Sequence, residues 1–236
     1  MKILKKTPIL LSLFLMCLLF TTASAQDTDD QNTNNKQEEK IEASTQVLKD
    51  FSEMKDNIPG ELLKITQGII VVPKLINAGF VLAGKRGKGI AIVKLDDGSW
   101  SNPVFVTITG GSVGFQVGVQ AVDLVLIFKH RATLQDIGKG SFTLGGDVSA
   151  TVGPLGRSST ASTDTKFEAE VYSYSKSKGL FAGISLGGSE IAVDAKSNQA
   201  FYGNDDDAKT IFSNSGETDS DTVTNLRETL KGMYDE

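Results

Sequence analysis

Residues 110–114 read Gly-Gly-Ser-Val-Gly, the G-x-S-x-G spacing of a hydrolase nucleophile elbow, in which a serine at a strand-to-helix turn attacks a carbonyl. That chemistry needs a base for the hydroxyl proton, and the chain has one histidine, His130, set in Lys129-His130-Arg131. It also needs a helix directly after the serine. Beyond Ser112, however, Val113, Phe115, Val117, Val119 and Ala121 alternate with Gly114, Gln116, Gly118 and Gln120. A period of two is strand with one buried apolar face, so Ser112 reads as a strand residue and not as a nucleophile.

Two further patterns fall short on chemistry. Residues 79–86 are one residue short of a phosphate-binding P-loop, and Arg86 stands where a hydroxyl would hold magnesium. Asn204-Asp205-Asp206-Asp207 lacks the spaced oxygens and later glutamate of a calcium loop and reads as an acidic turn before a helix. One histidine and one cysteine, Cys17, make a poor donor set for a transition metal. The expectation is a non-enzyme without metal or cofactor.

The residues left for binding are basic. Lys85, Arg86 and Lys88 share a glycine-rich stretch read as a loop, Lys129 and Arg131 follow an apolar block, and Arg157 lies in Gly-Pro-Leu-Gly-Arg. If they converge, they form a local positive patch able to meet lipid phosphates. The chain as a whole carries 24 Lys and Arg against 29 Asp and Glu, net −5, which argues against nucleic acid as a partner. The second candidate surface is the strand face of Gly114, Gln116, Gly118 and Gln120, where missing side chains leave room for a ligand or a neighbouring segment.

These residues must be positioned by the rest of the chain. Residues 1–25 have a basic start (Lys2, Lys5, Lys6), an apolar run and Ala23-Ser24-Ala25, the form of a cleavable signal peptide. Residues 26–37 are polar and read as a disordered tether. Residues 38–58 carry Ile41, Val47, Leu48, Phe51, Met54 and Ile58 as the stripe of an amphipathic helix, whose charge-mixed outer face suits packing on the domain. Strands are expected at 68–72 (ended by Pro73), 90–95, 104–109 and 113–121, and at 124–128, an unbroken apolar block buried on both faces. Gly110-Gly111, Gly145-Gly146 and Gly187-Gly188 are expected as bulges that curve long strands. Residues 221–233 place Val223, Leu226, Leu230 and Met233 on one helical face. The fold class expected is α+β: a single domain of mainly curved antiparallel strands with flanking N- and C-terminal helices.

Several motifs occur in order: Ile69-Ile70-Val71-Val72-Pro73, Gly87-Lys88-Gly89, Trp100-Ser101-Asn102-Pro103, the Gly-Gly-Ser-Val-Gly-Phe-Gln-Val-Gly-Val-Gln run with Asp123-Leu124-Val125, Leu144-Gly145-Gly146-Asp147 and Lys178-Gly179-Leu180-Phe181-Ala182-Gly183. In this arrangement the chain resembles the SYLF domain family, from about Ile58 to Gly203. The resemblance implies a non-catalytic module binding phospholipid or a membrane surface. Eukaryotic members bind phosphoinositide membranes, some fungal ones bind and bundle actin, and bacterial members are exported. Residues 38–58 depart from the basic N-terminal helix of the eukaryotic lipid contact, so phosphoinositide preference does not carry over. The domain is expected over 38–236, with a core at 58–203 and a helical tail at 204–236. The expected location is exported, periplasmic or secreted and peripheral on a membrane. An envelope protein is the alternative partner.

Overall fold

The structure is a computed structural model that describes residues 26–54, 58–154, 167–182, 184–216 and 220–235, and leaves aside the side chains of 26–33, 80–83, 112–117, 139 and 235. The expected signal peptide lies outside the described residues.

Two strands dominate. β1 (Gly68–Val93) and β2 (Val104–Phe128) pair antiparallel over nearly their whole length, from Gly68 opposite Phe128 to Ala91 opposite Val104. β1 has 26 residues; laid straight, it would reach about 85 Å. It doubles back instead, and the Lys94 amide donates to the carbonyl of Gln67, 2.9 Å away, so the strand's two ends meet. Pro73, expected to end a strand, sits inside β1 at a register shift between Val72 and Leu75. There Lys74 takes a positive φ of 53°, and its amide donates to Asp123 Oδ1 at 3.0 Å. A bulge is where a sheet tolerates a residue without N–H, so the strand bends and continues. The segment 84–89, expected as a flexible loop, is likewise strand, paired residue by residue with 106–111.

The remaining strands are short. They are β3 (Ser141–Leu144), β4 (Ala150–Val152), β5 (Val171–Ser177), β6 (Leu180–Phe181) and β7 (Ser189–Val193), which complete a seven-stranded sheet. β7 takes the free edge of β2 at Val106–Gly110, and β5 takes the same edge at Asp123–Phe128. β4 is parallel to β5, and every other pairing is antiparallel. Gly145 (φ 77°) and Gly188 (φ 75°) lie in turns, so two of the three glycine pairs end strands rather than bend them. A left-handed turn position is cheap only for glycine.

Both faces of the sheet are buried, which is why Leu124–Phe128 reads as an unbroken apolar block: all five side chains are essentially inaccessible. One face (Val72, Leu75, Val93, Val106, Ile108, Leu126, Phe128) fills the space within the curl, against α3 (Arg131–Gln135) and α5 (Ala208–Phe212). The other (Ile69, Val71, Ile90, Ile92, Phe105, Val125, Ile127) is covered by α1 (Gln26–Ser52), α2 (Gly60–Ile65) and α6 (Asp221–Asp235). The expected stripes supply these contacts: Ile41, Leu48 and Phe51 from α1, and Val223, Leu226 and Leu230 from α6. α4 (Ala195–Tyr202) starts at Asp194, whose side chain accepts from the Ser197 amide. An ion pair between the buried Lys176 Nζ and the half-buried Asp50 Oδ2, at 2.5 Å, ties α1 to β5. This is the α+β fold expected.

α1 begins at Gln26, within the stretch expected as a tether. Nucleating a helix is costly and extending one is not, so the buried turns at 41–51 can carry polar residues ahead of them into helix.

Candidate docking surface

Between β7 and β5, no described strand lies on the second edge of β2. Across residues 111–122 its sole strand partner among the described residues is β1. The middle of the β1–β2 pair is thus a two-stranded ribbon, and residues 75–84 and 110–122 contain no charged side chain. Exposed strand edges are ordinarily protected by charges or proline, and an edge without them is suited to being covered.

The ribbon reverses one expectation. The alternating apolar residues were to face a core, yet Val119 is 77% exposed and Ala121 is exposed as well. Across the register they meet Ala78 and Ile76, and Ile76 is 41% exposed. These four form an uncovered apolar face. Among the described residues, both helix-covered apolar clusters draw on the ends of the β1–β2 pair, and neither includes these four.

Of the polar face, residues 118 and 120 are described with their side-chain surroundings. Gly118 has φ 135° and open space where a Cβ would stand, opposite a register shift between Gly79 and Val81. That backbone angle is one that glycine adopts at little cost. Gly114 pairs with Val81, Gln116 lies within the same shift, and Gln120 pairs with Asn77 and is half-buried.

The expected basic patch is also taken apart. Lys85 is 5% exposed, and its ammonium donates to the Ser185 carbonyl; burial pushes it below the ordinary lysine value. Lys88 pairs with Asp194 at 2.6 Å. Lys129 donates to the Phe167 carbonyl at 2.6 Å, and Arg131 pairs with Asp96 at 2.6 Å. Arg86 is exposed, and Arg157 lies outside the described residues. Strand pairing separates these cations along the β1–β2 pair, and carbonyl or carboxylate acceptors claim four of them.

A different basic group replaces it. Burial first, and then the charges of Lys88 and Lys74, push the Lys40 ammonium below the ordinary lysine value, so these three cations share one neighbourhood. Lys74 stands exposed at the bulge where the ribbon begins. Sequence reading missed Lys40 and Lys74 because one sits on a helix and the other after a proline; only the packing of α1 on β1 brings them to Lys88. The nearest signal was the proline within a β-branched run.

The hydrolase pattern dissolves in the same geometry. Ser112 continues in strand opposite Ala83, and His130 is held by Glu170 at 2.6 Å beyond the far end of β2. Residues 79–86 lie within β1, without the helix a P-loop needs. Asp207 caps α5 by accepting from the Thr210 amide at 2.7 Å, as an acidic helix start should. No described helix is long and apolar enough to cross a membrane.

A family model described as Ysc84, Las17-binding protein actin regulator, matches residues 109–233, more than half of the chain. The chain belongs to this family. It is the SYLF family of the resemblance, and the match takes in most of β2 and the strands and helices after it. The chain is 38% identical over 170 residues to SH3 domain-containing YSC84-like protein 1 of Xenopus laevis, covering 69% of this chain and 50% of that one. It is 40% identical over 159 residues to LAS seventeen-binding protein 3 of Saccharomyces cerevisiae, covering 66% of this chain and 34% of that one. With the YSC84-like protein 1 of Rattus norvegicus the identity is 36% over 166 residues, 67% of this chain and 48% of that one. This Ysc84-family chain thus spans between a third and a half of the length of the curated relatives it matches.

These relatives correct one expectation. All three come from eukaryotes, cells without a periplasm, so placement of this chain as an exported, periplasmic or secreted protein does not stand. The bacterial-envelope setting and the envelope protein partner fall with it. The pattern that suggested them is compositional and confined to residues 1–25, outside the described residues.

Proposed function

We propose that this Ysc84-family chain is a non-catalytic binding module that docks on anionic phospholipid surfaces through the β1–β2 ribbon. The observation that carries the reading is the uncovered apolar face of Ile76, Ala78, Val119 and Ala121 on an uncharged ribbon rooted beside Lys40, Lys74 and Lys88. An apolar face flanked by cations is the pattern of an element lying in the headgroup region. The unpaired ribbon edge limits its depth, since free backbone N–H and C=O groups are costly in hydrocarbon.

The test is vesicle flotation of residues 26–236, which leaves out the separately apolar segment 9–20. Zwitterionic vesicles are compared with vesicles containing anionic lipid. Val119→Glu with Ile76→Glu is expected to lower partitioning at least about tenfold, the scale of one lost aliphatic burial. Lys74→Glu is expected to lower it about thirtyfold on the anionic vesicles alone, at about 1 kcal/mol for each of the two units of charge changed. If the wild-type chain floats with neither composition, the lipid reading is overturned.

A second reading rests on the same unpaired edge. A partner protein could add a strand to residues 111–122, with backbone hydrogen bonds giving affinity. The relative named as a LAS seventeen-binding protein favours it. Protection of the 111–122 amides from exchange by a protein partner, without any flotation, would decide for it.

A further inference from the structure

We propose that a second surface, remote from the ribbon, is a binding site for a small organic phosphate that carries a planar ring. A cavity of about 430 Å³ lies between α6 and the turn that joins β1 to β2. Its size falls within the range of small-molecule sites. Lys94 comes from the end of β1, and Arg227 and Lys231 come from successive turns of α6. None of these three cations is ion-paired among the described residues.

The wall is aromatic. Trp100 and Tyr234 stack at a tilt, with ring centroids 5.2 Å apart, and Lys94 Nζ lies 5.1 Å from the Tyr234 ring centre. Trp100 is 5% exposed, so its orientation is set by packing before any ligand arrives. Arg227 is held as well: its Nη2 donates to Asn102 Oδ1 at 2.6 Å, while its Nε is buried without an acceptor. Two carboxylates also line the cavity. Asp97 is engaged by the amide and hydroxyl of Ser99, at 2.9 and 2.6 Å, whereas Glu228 has no partner among the described residues.

The chemistry that satisfies this set has three parts. A doubly charged phosphate would meet Arg227 and Lys231 through charge-assisted hydrogen bonds. A flat ring would lie against the Trp100–Tyr234 pair. A hydroxyl between them would donate to Glu228. A nucleoside monophosphate has all three in a molecule of this size. A carboxylate or a bare phosphate has the charge without the ring.

Trp100 is the chain's single tryptophan, so its fluorescence reports on this wall alone. The experiment titrates the purified full-length chain with AMP, adenosine and inorganic phosphate in turn. The expected result is a saturable change in Trp100 emission with AMP, at a concentration at least about tenfold lower than either part alone requires. Lys231 is exposed, so Lys231→Glu should leave the melting temperature unchanged while weakening AMP at least about tenfold. Lys94→Gln, at the opposite wall, should weaken AMP as well and guards against a variant that fails to fold. The proposal is overturned if AMP leaves the emission unchanged, if adenosine binds as tightly as AMP, or if neither variant weakens binding.

Discussion

Gly89→Ala is expected to remove most of the chain's stability, on the order of 5 kcal/mol, and to leave little folded protein. A Cβ at position 89 would stand 2.0 Å from the Val71 carbonyl oxygen, 2.8 Å from the carbonyl carbon and 2.9 Å from the Val72 Cα. All three atoms are backbone of the opposite half of the same strand, and they cannot rotate away as a side chain could. Both segments are anchored by the core, with Ile70 and Val72 on one side and Ile90 and Ala91 on the other, each at most 1% exposed. The clash can be relieved only by parting the two halves of β1, which opens both apolar clusters. Gly84→Ala is the control, since a Cβ there meets nothing within 4 Å and the position is exposed. It should be neutral, or stabilising by up to about 1 kcal/mol through a less flexible unfolded chain. Urea unfolding of both variants checks the pair. Equal midpoints would mean that the halves of β1 do not cross as described.

A steep loss of stability is expected above pH 10. Tyr174, Tyr202 and Tyr234 are pushed well above the ordinary tyrosine value of 10.0 by burial. Two of them also donate hydrogen bonds that a phenolate cannot make, Tyr174 to the Pro154 carbonyl at 3.1 Å and Tyr202 to the Pro103 carbonyl at 2.6 Å. Above pH 10 the unfolded chain releases three protons that the folded chain retains. The stability from these groups is therefore complete below 10 and falls as the pH rises, at up to about 4 kcal/mol per pH unit. Lys40 and Lys85 act in the opposite sense. Burial depresses both, so the unfolded chain holds their protons longer, and stability rises as the pH climbs toward 10.5. The three tyrosines outweigh them beyond 10. Urea midpoints followed from about pH 9 to about pH 11 should show the fall, and Tyr202→Phe should remove about a third of its slope. Midpoints that stay level across that range would contradict the burial of these rings.

The parts of the fold legible in the sequence were those where a local period and a buried face coincide. The α1 stripe from Ile41 to Phe51 (the helix itself ends at Ser52, short of the expected Ile58), the α6 stripe of Val223, Leu226 and Leu230, and the two-sided burial of Leu124–Phe128 could all be read from spacing. Glycine proved the least readable residue. Gly87 and Gly89 suggested a flexible loop, Gly114 and Gly118 suggested room for a ligand, and Gly145 and Gly188 suggested bulges. In the structure Gly89 serves a backbone crossing, Gly118 a bulge with positive φ, and Gly145 and Gly188 serve turns. A missing side chain is one letter for several physical demands, and the neighbour that sets the demand lies far away in sequence.

The basic residues show the same limit. Lys85 and Lys88 looked like free charge, but Ser185 and Asp194 claim them from about a hundred residues away. Lys40 and Lys74 looked incidental and are brought together by the packing of α1 on β1. By itself the sequence determined an α+β chain of curved antiparallel strands, its terminal helices and its family, because periodicity and ordered motifs are local properties. Tertiary structure alone decided that Val119 and Ala121 stand exposed, and which cations remain unpaired among the described residues. Burial and charge pairing belong to whatever packs against a residue, and β1 folding back on itself set those neighbours.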